Sequence, residues 1–195
     1  MHPPSPMRSR EAAFTMIELM LVVVIVGILV AVAVYAYSRS VRKARSTEVV
    51  TMFGEIKMRE EAYKAEFGKY LPMCPNPAGG ADELDCVESD KWPNPLPGKG
   101  QAIDITGGLP ARWQTLKVNP GKGSLYCQYV VVAGKAGSTV PAAYPSGQLL
   151  YGNTPVPTNW YYLVAQCDWD NDPAVNAVYW QRGDSSELYK DNELR

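Results

Sequence analysis

Histidine is almost absent from this chain of 195 residues, which contains only His2. Nucleophilic sites of the Ser-His and Cys-His types need an imidazole base, and many metal sites need imidazole ligands. The sequence beyond His2 therefore excludes the commonest hydrolase chemistries and any metal centre with a histidine ligand. We predict that the protein is not an enzyme and that its function needs no cofactor.

The sequence has no excess of basic over acidic residues, and it has one long interval without proline. The 19 Lys and Arg residues are balanced by 20 Asp and Glu residues, for a net charge of −1. Nucleic-acid-binding proteins normally carry a strong positive charge, so we expect no nucleic-acid partner. No proline lies between Pro6 and Pro72, so proline would not kink or break a helix there.

Cysteine is scarce, and its spacing does not give the paired CxxC pattern of a zinc site. Its four copies all follow a long apolar segment: Cys74, Cys86, Cys127 and Cys167. An even number of cysteines in an exported domain indicates two disulfides, although three pairings are open. We favour Cys74–Cys86 because both lie in one loop, which leaves Cys127–Cys167 to join two strands. Free buried thiols are the alternative.

The most informative feature is the stretch Ala13-Phe14-Thr15-Met16-Ile17-Glu18, which is followed by a charge-free run from Leu19 to Val34. About 21 helical residues span roughly 31 Å, which is enough to cross a bilayer. A carboxylate near the bilayer interior costs roughly 2.5–3.5 kcal/mol on insertion scales. Glu18 would therefore be unfavourable in a helix that only anchors the protein. We expect its carboxylate to pair with a cation at the same depth in the membrane.

This order of features resembles the type IV pilin and pseudopilin family, in which a short basic leader precedes Phe-Thr-x-x-Glu and a long apolar helix. Ala13 stands here where the family usually has Gly. The resemblance implies that a prepilin peptidase cuts between Ala13 and Phe14 and that the new Phe14 amine is methylated. It also implies that Glu18 pairs with the Phe14 amine of a neighbouring subunit.

The resemblance also implies a function as the structural subunit of a type IV pilus, with roles in motility or adhesion. A minor pilin or a type II secretion pseudopilin is the alternative within the family. The implied partners are identical subunits in a helical homopolymer, the prepilin peptidase and the inner-membrane assembly machinery. The implied location is the inner membrane before assembly, with the C-terminal domain in the periplasm, and the extracellular pilus afterwards.

The distribution of cations alone opposes this orientation. Arg8 and Arg10 precede the apolar run, whereas four cations follow it: Arg39, Arg42, Lys43 and Arg45. The positive-inside rule would place the C-terminal side in the cytoplasm. The cysteines and the family resemblance favour the periplasm, and we adopt that orientation.

Beyond Val34 the pattern predicts an amphipathic continuation of the helix to about Phe67, with a stop at Gly68. The predicted apolar face recurs at three- and four-residue steps: Val49, Met52, Phe53, Ile56, Tyr63 and Phe67. The predicted opposite face carries Glu48, Thr51, Glu55 and Arg59.

After a Pro-rich connection over 72–110, we predict strands at 111–118, 125–133, 160–167 and 175–182, with a short fifth at 187–190. Segment 134–159 is predicted to be a long loop. The predicted fold is α+β, a long N-terminal helix packed on an antiparallel sheet of about four strands. We divide the chain into a leader (1–13), a transmembrane or filament-core helix (14–37), its amphipathic continuation (38–67), and a loop-and-sheet part (68–195). The last two form one globular head.

Two late groups of residues are candidates for binding. Asp168, Asp170 and Asp172 alternate like calcium ligands, but Pro173 and Tyr179 stand where an EF-hand needs Gly and Glu. A solvated turn is the alternative, and we favour it. Six strand residues could form an exposed aromatic surface for adhesion or could pack the sheet, which we favour: Tyr126, Tyr129, Tyr161, Tyr162, Tyr179 and Trp180.

The competing interpretation is a periplasmic enzyme or binding protein that is membrane-anchored or carries a signal peptide cut near Ala31-Val32-Ala33. Mass spectrometry of the mature N terminus separates the two interpretations. We expect N-methylated Phe14 as the first residue, because the peptidase would cut after Ala13. A mature chain beginning near Val34 or Tyr35 would contradict the pilin resemblance.

Overall fold

A single helix, α1, runs from Met16 to Phe67 in the computed structural model of the chain. The structure describes residues 15–75, 77, 84–98, 100–121, 123–169 and 176–192. The helix ends where predicted, because Gly68 adopts φ +74° and its N–H donates to the carbonyl of Lys64 at 2.8 Å. Glycine adopts this left-handed conformation at no steric cost, which makes it a common residue just after a helix.

The chain separates into two compact units, Met1–Val41 and Arg42–Arg195. In the first unit, the described part consists of the start of α1, and every side chain from 15 to 40 is exposed. The second unit, which we call the head, contains the rest of α1 and all the strands that the described residues form. The predicted bounds of the leader, the core helix and the head stay predictions.

The second unit is built around an antiparallel sheet of four strands in the order β3-β4-β5-β6. These strands are β3 (Cys127–Gly134), β4 (Trp160–Cys167), β5 (Ala177–Arg182) and β6 (Tyr189–Asp191). A smaller sheet pairs β1 (Ile103–Asp104) with β2 (Ser124–Leu125). The long helix and this antiparallel sheet confirm the predicted α+β fold.

The central strands are buried on both faces, which explains their nearly continuous run of apolar residues. One face packs against α1 through Val49, Met52, Phe53 and Ile56. The opposite face, with Val130, Val132, Tyr162 and Val164, is covered by the loops that follow β3 and by the Cys74–Cys86 region. The head therefore has two apolar cores with the sheet between them.

The edges of the sheet differ. Two isolated antiparallel bridges, Met73 with Val131 and Trp92 with Tyr129, cover the outer side of β3. The other edge is β6, which has only three residues, all of them exposed. The Pro-rich connection after α1 therefore forms backbone hydrogen bonds with the edge of β3 at these two points.

Two sequence predictions in the head are wrong. Segment 111–118, predicted as a strand, contains helix α2 (Ala111–Leu116), because Trp113 and Leu116 lie three residues apart on one buried helical face. Segment 134–159, predicted as a loop, contains helix α3 (Pro145–Tyr151). The carboxylate of Glu88 accepts hydrogen bonds from the backbone N–H groups of Ser146 and Gly147 at 3.2 and 2.9 Å, which satisfies the N terminus of α3.

The predicted faces of α1 need two corrections. Phe67 is 55% exposed because it lies in the last turn, where its ring packs mainly on Tyr63 at 4.4 Å between centroids. Glu48 faces the sheet instead of solvent. Its carboxylate accepts a hydrogen bond from the N–H of Tyr126 at 3.0 Å and another from the hydroxyl of Tyr129 at 2.8 Å.

Two disulfides close the head, Cys74–Cys86 and Cys127–Cys167. Their pairing agrees with the one that we favour from the sequence. Cys127 and Cys167 are directly opposite each other on β3 and β4, and both are fully buried. The first disulfide holds the connection after α1 against the outer face of the sheet, which is the face opposite α1. Both of its cysteines belong to the core on that face.

Replacing Glu48 by Ala should lower the free energy of unfolding by about 2–3 kcal/mol, because it leaves a buried hydroxyl and a backbone N–H without an acceptor. Glu55→Ala is the matched control on the same helix, since it removes an i,i+4 ion pair with Arg59 that contributes only about 0.3–0.5 kcal/mol. Urea unfolding of the purified chain in detergent, followed by near-UV circular dichroism, measures both. Equal losses in the two variants would contradict the anchoring role of Glu48.

Candidate assembly interface

The start of α1 presents an unusually apolar surface. From Met16 to Val34 its large apolar side chains are all exposed by 49% or more. Soluble domains rarely leave a continuous apolar surface of this size open to water. Among the described residues, α1 is long and apolar enough to cross a membrane. A bilayer or the same segment of other subunits can cover such a surface.

Glu18 lies in the first turn of this segment and its side chain is exposed. The N–H of Glu18 donates to Oγ1 of Thr15 at 3.3 Å, and the N–H of Leu19 donates to the Thr15 carbonyl at 3.2 Å. Thr15 therefore caps the helix, and Thr-x-x-Glu is the spacing of a capping box. We missed this capping role of Thr15 in the sequence, although that spacing was its signal.

The other residues of the predicted processing and pairing site, Ala13 and Phe14, lie outside the described residues. Cleavage after Ala13, methylation of Phe14 and its pairing with Glu18 therefore stay predictions. The structure does place Glu18 at the N-terminal end of the exposed apolar helix. The helix dipole favours a carboxylate at that end.

Only one of the three calcium-ligand candidates lies within the described residues. Asp170 and Asp172 lie outside the described residues, and Asp168 is buried. Within the described part of the chain, no group of three or more His, Cys, Asp or Glu side chains could hold a metal ion. Calcium binding stays untested.

The aromatic residues of the strands pack the sheet, as we favour from the sequence. Tyr129, Tyr161, Tyr162 and Tyr179 are buried almost completely. Burial and the nearby Glu48 carboxylate raise the pKa of the Tyr129 hydroxyl well above its ordinary value, so this group stays neutral and donates its hydrogen bond. Tyr126 and Trp180 are half-buried. These six side chains do not form one exposed surface.

Glu60 is a buried charge-bearing residue that we missed in the sequence. It occupies the apolar stripe of α1 between Ile56 and Tyr63, and its exposure is 0%. Oε2 accepts a hydrogen bond from the N–H of Leu71 at 2.9 Å, whereas Oε1 has no hydrogen-bond partner among the described residues. Its position four residues after Ile56 and three before Tyr63 was the signal for burial.

Burial raises the pKa of the Glu60 carboxyl to about 8, although the Leu71 N–H partly opposes the shift. The neighbouring Glu61 carboxylate raises this pKa further. Glu60 is therefore protonated in the folded head at neutral pH. Protonation allows the head to bury this side chain without burying a charge.

Comparison with protein families gives one match. The model of the prokaryotic N-terminal methylation motif matches residues 8–34, a range that includes Ala13, Phe14 and Glu18. Neither the comparison with curated proteins nor the comparison with solved structures gives a significant match to the chain. The motif covers the cationic end of the predicted leader and the apolar half of α1, and the head lies beyond it.

The raised pKa of Glu60 predicts that the head loses stability as the pH rises. The folded state favours the protonated form, so its stability is complete below the unfolded pKa of about 4.5 and falls until the pH passes about 8. At pH 7 the cost is on the order of 3 kcal/mol. Glu60→Gln mimics the neutral acid, so it should be more stable than the unmodified chain at pH 8.

Urea unfolding of the detergent-solubilised chain between pH 5 and 9 measures this dependence. Glu66→Gln is the matched control, because Glu66 lies exposed on the same helix. It should keep the pH dependence of the unmodified chain, whereas Glu60→Gln should reduce it. A Glu60→Gln variant that is less stable than the unmodified chain at pH 8 would contradict the protonated state of Glu60.

Proposed function

We propose, from the premise that the chain is a type IV pilin-like protein, that it is a structural subunit of a helical type IV pilus. A prepilin peptidase removes residues 1–13, and the new N terminus is methylated. The subunit then waits in the inner membrane with its head in the periplasm. Assembly machinery moves it into the filament, and the subunit itself catalyses nothing.

The observation that carries this proposal is the exposed apolar helix with one carboxylate at its head. A simple anchor would gain nothing from Glu18, which costs free energy near the bilayer interior. A neighbouring subunit can offset that cost by bringing its Phe14 amine to the same depth. The attraction between opposite charges is strong at low dielectric, so a mispaired carboxylate is heavily penalised. Charge pairing therefore selects the register between neighbouring helices.

The apolar surface of α1 is suited to packing against copies of itself. Gly27 and Ala31 lie one turn apart on the same face of the helix, and a Cβ placed on Gly27 would meet no atom of the described residues within 4 Å. Small residues at this spacing let two apolar helices approach closely in a membrane. Transfer from lipid to a filament core would exchange one apolar environment for another. Its hydrophobic cost is therefore small.

The head is held firmly by the same helix that would enter the filament. Val49, Met52, Phe53 and Ile56 of α1 form part of its core. Glu48 adds hydrogen bonds from the helix to the start of β3. A pull on α1 is therefore transmitted directly to the sheet. We propose motility or adhesion as the role of the assembled pilus, which needs such load-bearing subunits.

A pseudopilin of type II secretion is the alternative role for the same assembly chemistry. The two disulfides and the long covered loops of the head favour the pilus, because a head exposed outside the cell gains most from covalent closure. Abundance of the subunit in filaments sheared from the cell surface is expected for a pilin. A subunit that stays in the cell envelope would support the pseudopilin.

Glu18→Ala should leave membrane insertion intact and lower filament yield by about tenfold or more, as the loss of about 1.4 kcal/mol per contact implies. Glu18→Gln separates charge pairing from helix capping. Glutamine can still complete a capping box but carries no charge, so Glu18→Gln should lower filament yield as much as Glu18→Ala does. Immunoblots of membrane and sheared-filament fractions measure both quantities.

Thr15→Val is the matched control for that experiment, because it removes the hydroxyl that caps α1 and keeps the Glu18 charge. It should assemble better than Glu18→Gln. Filament yields from Glu18→Gln equal to those of the unmodified chain would contradict pairing through charge.

A further inference from the structure

A half-open pocket lies in the head where the end of α1 meets the sheet. Its volume is about 170 Å³. Typical sites for drug-sized ligands measure roughly 300–1,000 Å³, so this pocket has room for one ring-sized group. The residues that line it and carry the argument are Lys64, Tyr70, Tyr151, Trp160, Arg182 and Asp184. None of them takes part in the proposed contact through Glu18.

The floor of the pocket is aromatic. Tyr70 packs on Tyr161 with ring centroids 4.3 Å apart, and Tyr151 packs on Trp160 at 5.3 Å. The polar atoms of these rings already have partners. The hydroxyl of Tyr151 donates to the Tyr161 carbonyl at 2.8 Å, and Nε1 of Trp160 donates to a serine hydroxyl at 3.0 Å. Trp160, Tyr161 and Tyr70 are exposed by only 3%, 1% and 9%. The half-buried Tyr151 ring therefore offers most of the aromatic carbon surface to an occupant.

The rim of the pocket is polar and carries both signs of charge. Nε and Nη2 of Arg182 donate to the two carboxylate oxygens of Asp184 at 2.9 and 2.7 Å. The guanidinium also lies 4.6 Å from the centroid of the Tyr151 ring. A guanidinium has five N–H groups and a carboxylate has about four acceptor positions. This ion pair therefore retains donors and acceptors side by side.

The floor and the rim are built as one unit. Gly183 separates Arg182 from Asp184, and a Cβ at that position would collide with the ring of Tyr161. The N–H of Gly183 also donates to the carbonyl of Tyr161 at 2.9 Å. The missing side chain lets the turn press against the aromatic floor. The ion pair is thereby held at the edge of the rings.

Lys64 supplies a further donor at the α1 side of the pocket. Its ammonium group donates to the hydroxyl of Tyr70 at 2.8 Å. An ammonium has three N–H donors, so capacity remains for an occupant. The pocket therefore combines an apolar floor with hydrogen-bonding groups on two sides.

We propose that this pocket binds a single saccharide ring. The C–H groups of a pyranose suit the negatively charged face of an aromatic ring, which the exposed part of Tyr151 provides here. Its neighbouring hydroxyls are each a donor and an acceptor, and they match the Arg182–Asp184 pair. A purely apolar ligand would desolvate this charged rim without compensation. A phosphate would meet the Asp184 carboxylate, whereas a hydroxyl can use it as an acceptor.

The proposal does not depend on filament assembly, because every residue involved lies in the head. Saturation-transfer NMR on the full mature chain provides the test. The probes are methyl glycosides of glucose, mannose, galactose and N-acetylglucosamine, together with glucuronate. A phosphocholine detergent keeps the chain in solution, since sugar-based detergents would compete for the pocket. We expect saturation transfer to at least one of these five probes.

Arg182→Gln should weaken binding of the responding sugar by about tenfold, through the loss of charge-assisted hydrogen bonds. Arg59→Gln is a closely matched control. Both arginine side chains are 36% exposed and both pair with a carboxylate, but Arg59 lies outside this pocket. Arg59→Gln should bind like the unmodified chain, and near-UV circular dichroism confirms that both variants are folded.

Lys64→Gln distinguishes neutral from acidic sugars. It should weaken glucuronate more than a neutral glycoside if the ammonium contacts a sugar carboxylate, and both equally if it contacts a hydroxyl. Three results would overturn the proposal: no transfer to any of the five probes, equal binding by Arg182→Gln and Arg59→Gln, or Lys64→Gln binding every responding probe as the unmodified chain does.

Discussion

Packing of the second half of α1 against the sheet is the interaction on which the head depends. Val49, Met52, Phe53 and Ile56 are buried almost completely by this contact. Each such side chain contributes about 1.5–3 kcal/mol when buried. Small domains are stable by only about 5–15 kcal/mol in all, so these four residues together are comparable to the whole margin. In the first half of the same helix, every described side chain up to residue 40 is exposed. Its two halves therefore need two different surroundings.

Buried and half-buried charge-bearing residues add specificity to this packing. Glu48 joins α1 to β3, Glu88 holds α3 against the outer face of the sheet, and Arg112 donates to the Pro72 carbonyl and to Asp85, both at 2.9 Å. Each of these side chains ties together segments that are far apart in the sequence. Removing these groups from water costs desolvation free energy. Their hydrogen bonds offset this cost only when the segments are arranged as in the native fold. Glu60 differs because it avoids the cost by staying protonated.

The parts of the fold that could be predicted are those governed by local signals. The long apolar run and the Gly68 stop predict α1, and the β-branched and aromatic run at 160–167 predicts β4 with its bounds as found. Helix α2 was missed because six residues give too little periodicity to separate a helix from a strand. Helix α3 was missed because its N terminus is completed by Glu88, 58 residues away from Ser146.

The functional residues, too, could be predicted only where a local sequence signal marks them. Glu18 stands out in the sequence because a single carboxylate beside an apolar run is costly. The pocket beside Arg182 could not be foreseen, since it needs side chains from α1, from α3 and from the sheet to meet. Glu60 was overlooked because a charged residue within an apolar stripe is usually assigned to solvent. Only the tertiary contacts show that it is buried, and this burial raises its pKa.

The covered edge of the sheet has a consequence for how the molecules can associate. Backbone bridges from Met73 and Trp92 already occupy the free side of β3, and β6 offers only three residues with Lys190 and Asp191 among them. Short, charged edge strands disfavour pairing with strands of other molecules. Heads crowded at high local concentration are thereby protected from growing into amyloid-like aggregates. Ordered association is left to the α-helical part of the chain.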